Sequence, residues 1–195
     1  MPTPQAKPAS LMNRAYPTTA SNSRRTDRIR VWAWPADSRN QSASDVDMNQ
    51  WNSGDYQLAG LDCTNWLSRA DDRIAGAWEA DGEFGFMWTS NAGGQRPHPY
   101  VKVARITEDS MTQIYEPGIW SQNATFAYPE ACPNSRGRPL GITPFYSASN
   151  PLQNHVIGVR DDYSNGQWSR RLGPTGRGAT SGEITYDAGN TRLIA

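Results

Sequence analysis

The chain has 195 residues, in which 19 Lys and Arg side chains are balanced by 19 Asp and Glu side chains. This balance excludes a strong electrostatic attraction to nucleic acid or to an anionic membrane surface, and no stretch reaches the roughly 18 apolar residues of a membrane span. The N-terminus has neither the charged start nor the apolar centre of a secretory signal. Gly, Pro, Ser, Asn and Trp are frequent, which favours short strands joined by turns over long helices.

Residues 1–27 are predicted to form a flexible N-terminal arm, because they contain few large apolar side chains whose burial could order them. A single all-β domain is predicted over residues 28–195. Its first strand is stopped by Pro35, since proline cannot donate a hydrogen bond inside a sheet. The apolar residues of this strand are Ile29, Val31, Trp32 and Trp34.

The segment 36–54 is polar and is predicted to be a loop that contains a candidate calcium site. Aspartate and asparagine place oxygen ligands at every second residue, as at the start of a calcium-binding loop. An EF-hand is excluded, because Gln50 replaces the glycine of the sixth position and Tyr56 replaces the glutamate of the twelfth. The alternatives are an unrelated calcium loop and a plain polar connection, and no other cofactor is indicated. The candidate metal ligands are Asp45, Asp47 and Asn49.

The next segment contains two short apolar pieces, 56–61 and 66–67, which are predicted as weak strands. Trp51 and Trp66 lie near these pieces in polar surroundings and are predicted to be exposed. An exposed indole can stack on a sugar ring, since it combines a flat apolar face with a polar edge. The candidate ligand-binding residues are Trp51, Trp66, Arg69, Asp71 and, further along the chain, Arg136.

A β-hairpin is predicted at Asp81-Gly82, where this dipeptide separates the apolar runs 74–78 and 84–88. On the second run the aromatic residues Phe84, Phe86 and Trp88 point to one side, while Gly85 and Met87 point to the other. Neither face is polar, so this strand is predicted to lie between two packed sheets. Trp78 and Trp88 are accordingly predicted to belong to the core.

The hairpin belongs to a predicted four-strand antiparallel meander, and a second meander follows it. The predicted strands are about 73–80, 83–90, 100–107 and 111–116, and then about 126–132, 139–147, 154–161 and 166–172. A shift of 55 residues aligns the two sets, which gives units at about 73–120 and 126–175 and a truncated third unit from about residue 183.

Four-stranded units that repeat at this spacing are typical of the blades of a β-propeller, each of which packs both faces against its neighbours. A closed propeller has about four blades or more, so the fold predicted is a partial or incomplete propeller of stacked antiparallel meanders. A two-sheet β-sandwich is the alternative, because sandwiches also present short strands at regular spacing.

The stretch Pro117–Gly137, followed by Leu140-Gly-Ile142 and His155–Asp162, resembles the later blades of bacterial secreted propeller proteins of the sialidase-like type. The turn Asn134-Ser-Arg-Gly137 running into the Leu140-Gly-Ile142 strand is the most specific part. The resemblance covers about residues 73–175. It implies an extracellular or periplasmic protein whose fold is built from propeller blades.

The catalytic motifs of sialidases are not matched. Those enzymes use an arginine triad, a Tyr nucleophile paired with Glu and an acidic Asp, and they carry boxes of the form Ser-x-Asp-x-Gly-x-x-Trp. The nearest segment here, Asp162–Trp168, has Ser164 in place of the aspartate. Catalysis is therefore not carried over with the fold. Acids beside a tight turn, such as Glu79 and Glu83, are more typical of solvated turn residues than of a glycosidase pair.

Cys63 and Cys132 are the two cysteines of the chain, and two thiols alone do not make a structural zinc site. The interpretations left open are two buried free thiols and one long-range disulfide in an exported protein.

The function predicted from the sequence is binding of a polar ligand, with a glycan as the favoured class, and no catalytic activity is assigned. One alternative is a sialidase-like glycoside hydrolase in which this chain supplies only some blades. Another is a structural β subunit of a multi-chain assembly, in which other chains complete the β structure.

Overall fold

The computed structural model describes residues 16–20, 23–33, 40–58, 65–80, 82–116, 118–133, 139–147, 154–159 and 169–175. Within these ranges the chain forms thirteen β-strands and no helix, and therefore no helix that could span a membrane. The strands are β1 (Tyr16–Ala20), β2 (Ser23–Ala33), β3 (Ser42–Asp47), β4 (Ile74–Ala80), β5 (Glu83–Ser90), β6 (Tyr100–Thr107), β7 (Gln113–Tyr115), β8 (Gly118–Ile119), β9 (Thr125–Ala127), β10 (Glu130–Pro133), β11 (Pro139–Ser147), β12 (Asn154–Val159) and β13 (Ser169–Thr175).

These strands form three antiparallel sheets. The first sheet has the order β1-β2-β3. The central sheet has the order β4-β5-β6-β7, with β8 also paired to β6. The third sheet has the order β10-β11-β12-β13, with β9 also paired to β11. The all-β prediction is confirmed, and the described residues form neither a closed barrel nor a closed propeller.

The predicted hairpin at Asp81-Gly82 is confirmed. β4 and β5 are joined by two residues, and Ala80 pairs directly with Glu83. Gly82 has a φ of 73°, a conformation that glycine adopts without the steric penalty of a side chain. Asp81 itself lies outside the described residues.

Both faces of the central sheet are buried, as the apolar pattern of β5 predicts. Phe86 and Trp88 pack with Ile29 and Val46 of the first sheet in one cluster. Met87, which points the other way, packs with Phe126 of the third sheet in a second cluster. Phe86 is 4% exposed and Met87 0%, so from Gly85 to Ser90 both sides of β5 are buried.

Two glycines of the central sheet allow close contacts, one within this sheet and one with the third sheet. Trp78 on β4 lies over its cross-strand partner Gly85, where an added Cβ would be 1.9 Å from the indole ring. At Gly76 an added Cβ would be 3.0 Å from the main-chain nitrogen of Ala131, so β4 passes close to β10 of the third sheet.

The second predicted meander is also confirmed, with one strand divided. The predicted strand 126–132 is split into β9 and β10 by Tyr128 and Pro129. Tyr128 has a φ of 51°, which breaks the extended backbone, and Pro129 has no N–H to donate. The predicted third unit from residue 183 lies outside the described residues.

The sheet structure begins earlier than predicted. β1 and the first five residues of β2 lie within the predicted arm 1–27, and β3 lies within the predicted loop 36–54. Backbone pairing with β2 holds both strands, and such pairing does not require large apolar side chains. In β3 a single apolar side chain, Val46, points inward and is buried.

The two predicted weak strands are wrong within residues 56–58 and 66–67, where the chain is a loop and a turn. The side chain of Asn65 takes the place of a neighbouring strand, because it accepts hydrogen bonds from the main chain of Leu58 and Leu67 and donates one to that of Tyr56. Tyr56 and Leu67 are nevertheless buried, in a third apolar cluster with Ala127.

Cys132 on β10 is an exposed free thiol, so the predicted burial is wrong for this residue and the long-range disulfide is not formed. Cys63 lies outside the described residues.

Candidate ligand-binding surface

Trp51 is buried, so the prediction that this residue is exposed is wrong. Its side chain is 2% exposed, and its ring packs edge-on against Trp88 with the centroids 5.0 Å apart. The Trp51 Nε1 donates to Asp72 Oδ2 at 3.1 Å. Trp51 is buried because of a contact between distant parts of the chain. Its main-chain N–H donates to Thr26 O, which holds the segment after β3 against β2.

A buried ion pair holds this segment against the central sheet. Lys102 Nζ lies 2.8 Å from Glu116 Oε2 and donates to the carbonyl oxygen of Asn49 at 2.6 Å. The main-chain N–H of Asn49 donates to Glu116 Oε1 at 2.8 Å. Because the side chains of Lys102 and Glu116 are 7% and 4% exposed, these charges serve the fold and are not open to a ligand.

The candidate metal ligands Asp45 and Asp47 lie on the outer face of the first sheet and are paired with arginines. Asp45 accepts two hydrogen bonds from Arg30, and Asp47 accepts one from Arg28. The hydrogen bond to Asp45 raises the pKa of Arg30, which keeps that cation charged. A calcium ion would have to displace these guanidinium groups. Among the described residues, no three His, Cys, Asp or Glu side chains form a group that could hold a metal ion.

Three of the predicted ligand-binding residues, Trp66, Arg69 and Asp71, lie on one turn that packs against Tyr128. Tyr128 Oη donates to Trp66 O at 3.1 Å and also has a hydrogen bond with the main chain of Arg69. Asp71 accepts hydrogen bonds from the side chain and main chain of Arg73, at 2.7 and 3.0 Å. We call this group, residues 65–73 with Tyr128, the Trp66 patch. Arg136 lies outside the described residues.

The Trp66 patch contains Tyr128, a titratable side chain whose pKa is shifted by its surroundings. Burial raises the pKa of Tyr128, and the Asp71 carboxylate raises it further, while the Arg69 main-chain hydrogen bond opposes the shift. Tyrosine in the unfolded chain ionises near pH 10. The folded protein therefore holds the Tyr128 proton at a pH where the unfolded chain has lost it. This contribution to stability is complete below about pH 10 and is lost as the pH rises further.

Tyr128→Phe is expected to lower the free energy of unfolding by about 1 kcal/mol at pH 7, because the hydrogen bond to Trp66 O is lost. Above pH 10 the difference from the unsubstituted protein should become smaller. Urea unfolding at pH 8 and at pH 10.5 measures this change. Tyr115→Phe is the control, since Tyr115 is 52% exposed. Parallel pH profiles for the unsubstituted protein and Tyr128→Phe would contradict the assignment.

A second group, which sequence reasoning missed, consists of Arg96, Tyr100 and Trp120, and we call it the Arg96 stack. The guanidinium carbon of Arg96 lies 4.4 Å from the ring centroid of Tyr100 and 5.9 Å from that of Trp120. Arg96 Nη1 also donates to Tyr100 Oη at 3.3 Å. Trp120 is 39% exposed, so its indole is presented to solvent beside a cation.

The loop between β5 and β6 positions the Arg96 stack. Gly93 and Arg96 exchange two main-chain hydrogen bonds, at 2.9 and 3.1 Å, which fix the base of the loop. Asn52 Nδ2 donates to Ala92 O at 2.7 Å and ties the loop to the segment after β3. The sequence could have indicated that Trp120 is exposed, because the polar residues Ser121-Gln122-Asn123 follow it. Polar neighbours were the reason for predicting that Trp66 is exposed.

Both groups lie at the same end of the central sheet, where β5 ends and β6 begins. Tyr128 N donates to Thr89 Oγ1 at 3.1 Å, which places the Trp66 patch beside the end of β5. Ser90, the next residue, pairs with Tyr100 of the Arg96 stack. We call this end of the sheet the β5–β6 end. Near it lie the half-exposed indole of Trp120, the partly buried ring of Trp66 and three arginines, Arg69, Arg73 and Arg96, of which Arg73 is paired with Asp71.

The described acids near the β5–β6 end already have partners within the chain. Glycoside hydrolysis needs two carboxyl groups that face each other across the sugar. Of the acids near the β5–β6 end, Asp71 is paired with Arg73, and Asp72 is 1% exposed and accepts from Trp51. An exposed ring beside a guanidinium can instead hold a polar ligand by stacking and hydrogen bonding.

Comparison of the chain with models of protein families, with curated proteins and with solved structures finds no match. The resemblance to sialidase-like propellers therefore stays a prediction from the sequence.

Proposed function

We propose that this chain binds a polar ligand at the β5–β6 end of the central sheet, and that the ligand is a glycan. The observation that carries the proposal is the Arg96 stack. In it the Trp120 indole is 39% exposed, while Arg96 lies within 6 Å of two aromatic ring centroids.

The chemistry of the stack suits a sugar. An indole face packs against the C–H face of a pyranose ring, and the hydroxyl groups at the edge of that ring need hydrogen-bond partners. Arg96 supplies donors beside the indole, and its position is fixed by Tyr100 and by the main-chain bonds of the loop. A site whose side chains are already held in place loses less entropy when a ligand binds.

The architecture that we propose for the domain is a partial propeller in which the three sheets correspond to successive blades. Support comes from the central sheet, whose two faces each pack on a neighbouring sheet. A two-sheet sandwich would leave one face of each sheet solvated. The outer face of the first sheet carries the ion pairs of Arg28 and Arg30, as expected where a stack of repeats ends.

Trp120→Ala is expected to weaken glycan binding about tenfold, since loss of one stacking contact removes roughly 1.4 kcal/mol. Tryptophan fluorescence during titration with a panel of neutral and acidic oligosaccharides measures the affinity. Tyr115→Ala is the matched control, because Tyr115 is an exposed aromatic on the same sheet edge and does not belong to the Arg96 stack. The proposal fails if no oligosaccharide binds, or if Trp120→Ala and Tyr115→Ala bind equally well.

A further inference from the structure

The cationic side chains of the described residues differ in whether the fold supplies an acidic partner. Seven Lys and Arg side chains have described surroundings, and five of them form ion pairs within the chain. The five are Arg28, Arg30, Arg73, Lys102 and Arg105. Arg69 and Arg96 have no carboxylate partner among the described residues, and both lie at the β5–β6 end.

The surroundings of Arg96 make this lack of an acid unusual. Arg96 is half-buried between Tyr100 and Trp120, and its Nε is buried without a hydrogen-bond partner in the described part of the chain. A partly buried cation interacts more strongly with an anion than a solvated one does, because the local dielectric constant is lower. The guanidinium is also planar, so it can bind a carboxylate or a sulfate through two parallel hydrogen bonds.

The same end of the sheet has a further donor without an acceptor. In the Trp66 patch the indole Nε1 of Trp66 is buried and has no hydrogen-bond partner among the described residues. Arg69, on the same turn, is exposed to solvent. Donors without acceptors therefore occur in both groups that flank the end of β5.

We propose that the ligand bound at the β5–β6 end is anionic, and that Arg96 pairs with a carboxylate or sulfate group while the adjacent sugar ring stacks on Trp120. This inference depends on the proposed function and names the chemical class of its ligand. The fold leaves a positive charge at Arg96 that a ligand anion neutralises.

The test compares oligosaccharides that differ only in charge. Oligogalacturonate is titrated beside its methyl ester, and a sulfated galactan oligosaccharide beside its desulfated form, with tryptophan fluorescence as the readout. At least one anionic member should bind about tenfold more tightly than its neutral counterpart, and added salt should reduce the difference. The pair that shows the preference identifies the anion as carboxylate or sulfate.

Arg96→Gln should abolish the preference for the anionic member, and Arg96→Lys should keep part of it, because lysine retains the charge without the planar pair of donors. Arg30→Gln is the matched control, since Arg30 already has an acidic partner on the outer face of the first sheet. Circular dichroism checks that each variant is folded.

The outcomes separate the two proposals. Equal binding of charged and neutral members, or an anion preference that survives Arg96→Gln, overturns the anionic inference and leaves glycan binding intact. Failure of every member to bind overturns glycan binding, and the anionic inference with it.

Discussion

Gly85→Ala is expected to lower the free energy of unfolding by about 3 kcal/mol. The added methyl group would be 1.9 Å from two carbons of the Trp78 ring, which is 2% exposed between the central and third sheets. The ring has no solvent to move into, so the strain must spread into the cluster that contains Met87 and Phe126. Urea unfolding followed by tryptophan fluorescence measures the effect.

Gly94→Ala is the matched control for this substitution. Gly94 has a φ of 60° and nothing within 4 Å of an added Cβ, so the change should cost only about 1 kcal/mol of backbone strain. In a Trp78→Phe background the smaller ring should make Gly85→Ala less costly. Strictly additive effects of Gly85→Ala and Trp78→Phe would show that the two residues do not contact each other as described.

Lys102→Met is expected to lower the free energy of unfolding by about 3–5 kcal/mol, because it leaves the Glu116 carboxylate buried without its cation. The carbonyl of Asn49 would lose its donor as well, so the segment that carries Trp51 would be less firmly held. Chemical unfolding at pH 7 measures the loss of stability.

Two comparisons test this explanation. Lys102→Met combined with Glu116→Gln removes both charges and should recover much of the stability, since a buried pair is worth little against neutral groups of similar shape. Arg73→Met breaks an ion pair in which Arg73 is 73% exposed, and it should change stability little. A Lys102→Met effect as small as that of Arg73→Met would contradict the burial of the pair.

Local patterns predict the central sheet well because each of its strands is specified by its own residues. Alternating apolar side chains on β5 and the Asp81-Gly82 dipeptide define the hairpin and the two buried faces without reference to the rest of the chain. The end of β9 at Tyr128 could not be predicted in this way, because a positive φ at a tyrosine depends on the contacts around it.

The binding residues were predicted less well because exposure depends on contacts between distant segments. Trp51 and Trp66 have similar polar neighbours in sequence, yet Trp51 is covered by the return of its segment onto Thr26 in β2. Trp120 shares the same local signal and is exposed, since it follows β8 on the outer edge of the central sheet. Arg96 could not be selected from the sequence, because its lack of an acidic partner is seen only when the ion pairs of the other arginines are known.

Thiol labelling of both faces of β6 tests most directly that the central sheet is covered on each side. Val103 and Ala104 are adjacent, point in opposite directions and are 1% and 0% exposed. Val103→Cys and Ala104→Cys are made in a background in which Cys63 and Cys132 are serine, with Ile114→Cys, at a 42% exposed position, as the reference. Both buried thiols should stay unlabelled in the folded protein and react after unfolding, whereas the reference reacts at once. Labelling of either buried thiol at the rate of the reference, in a variant that circular dichroism shows to be folded, would contradict the stacked arrangement.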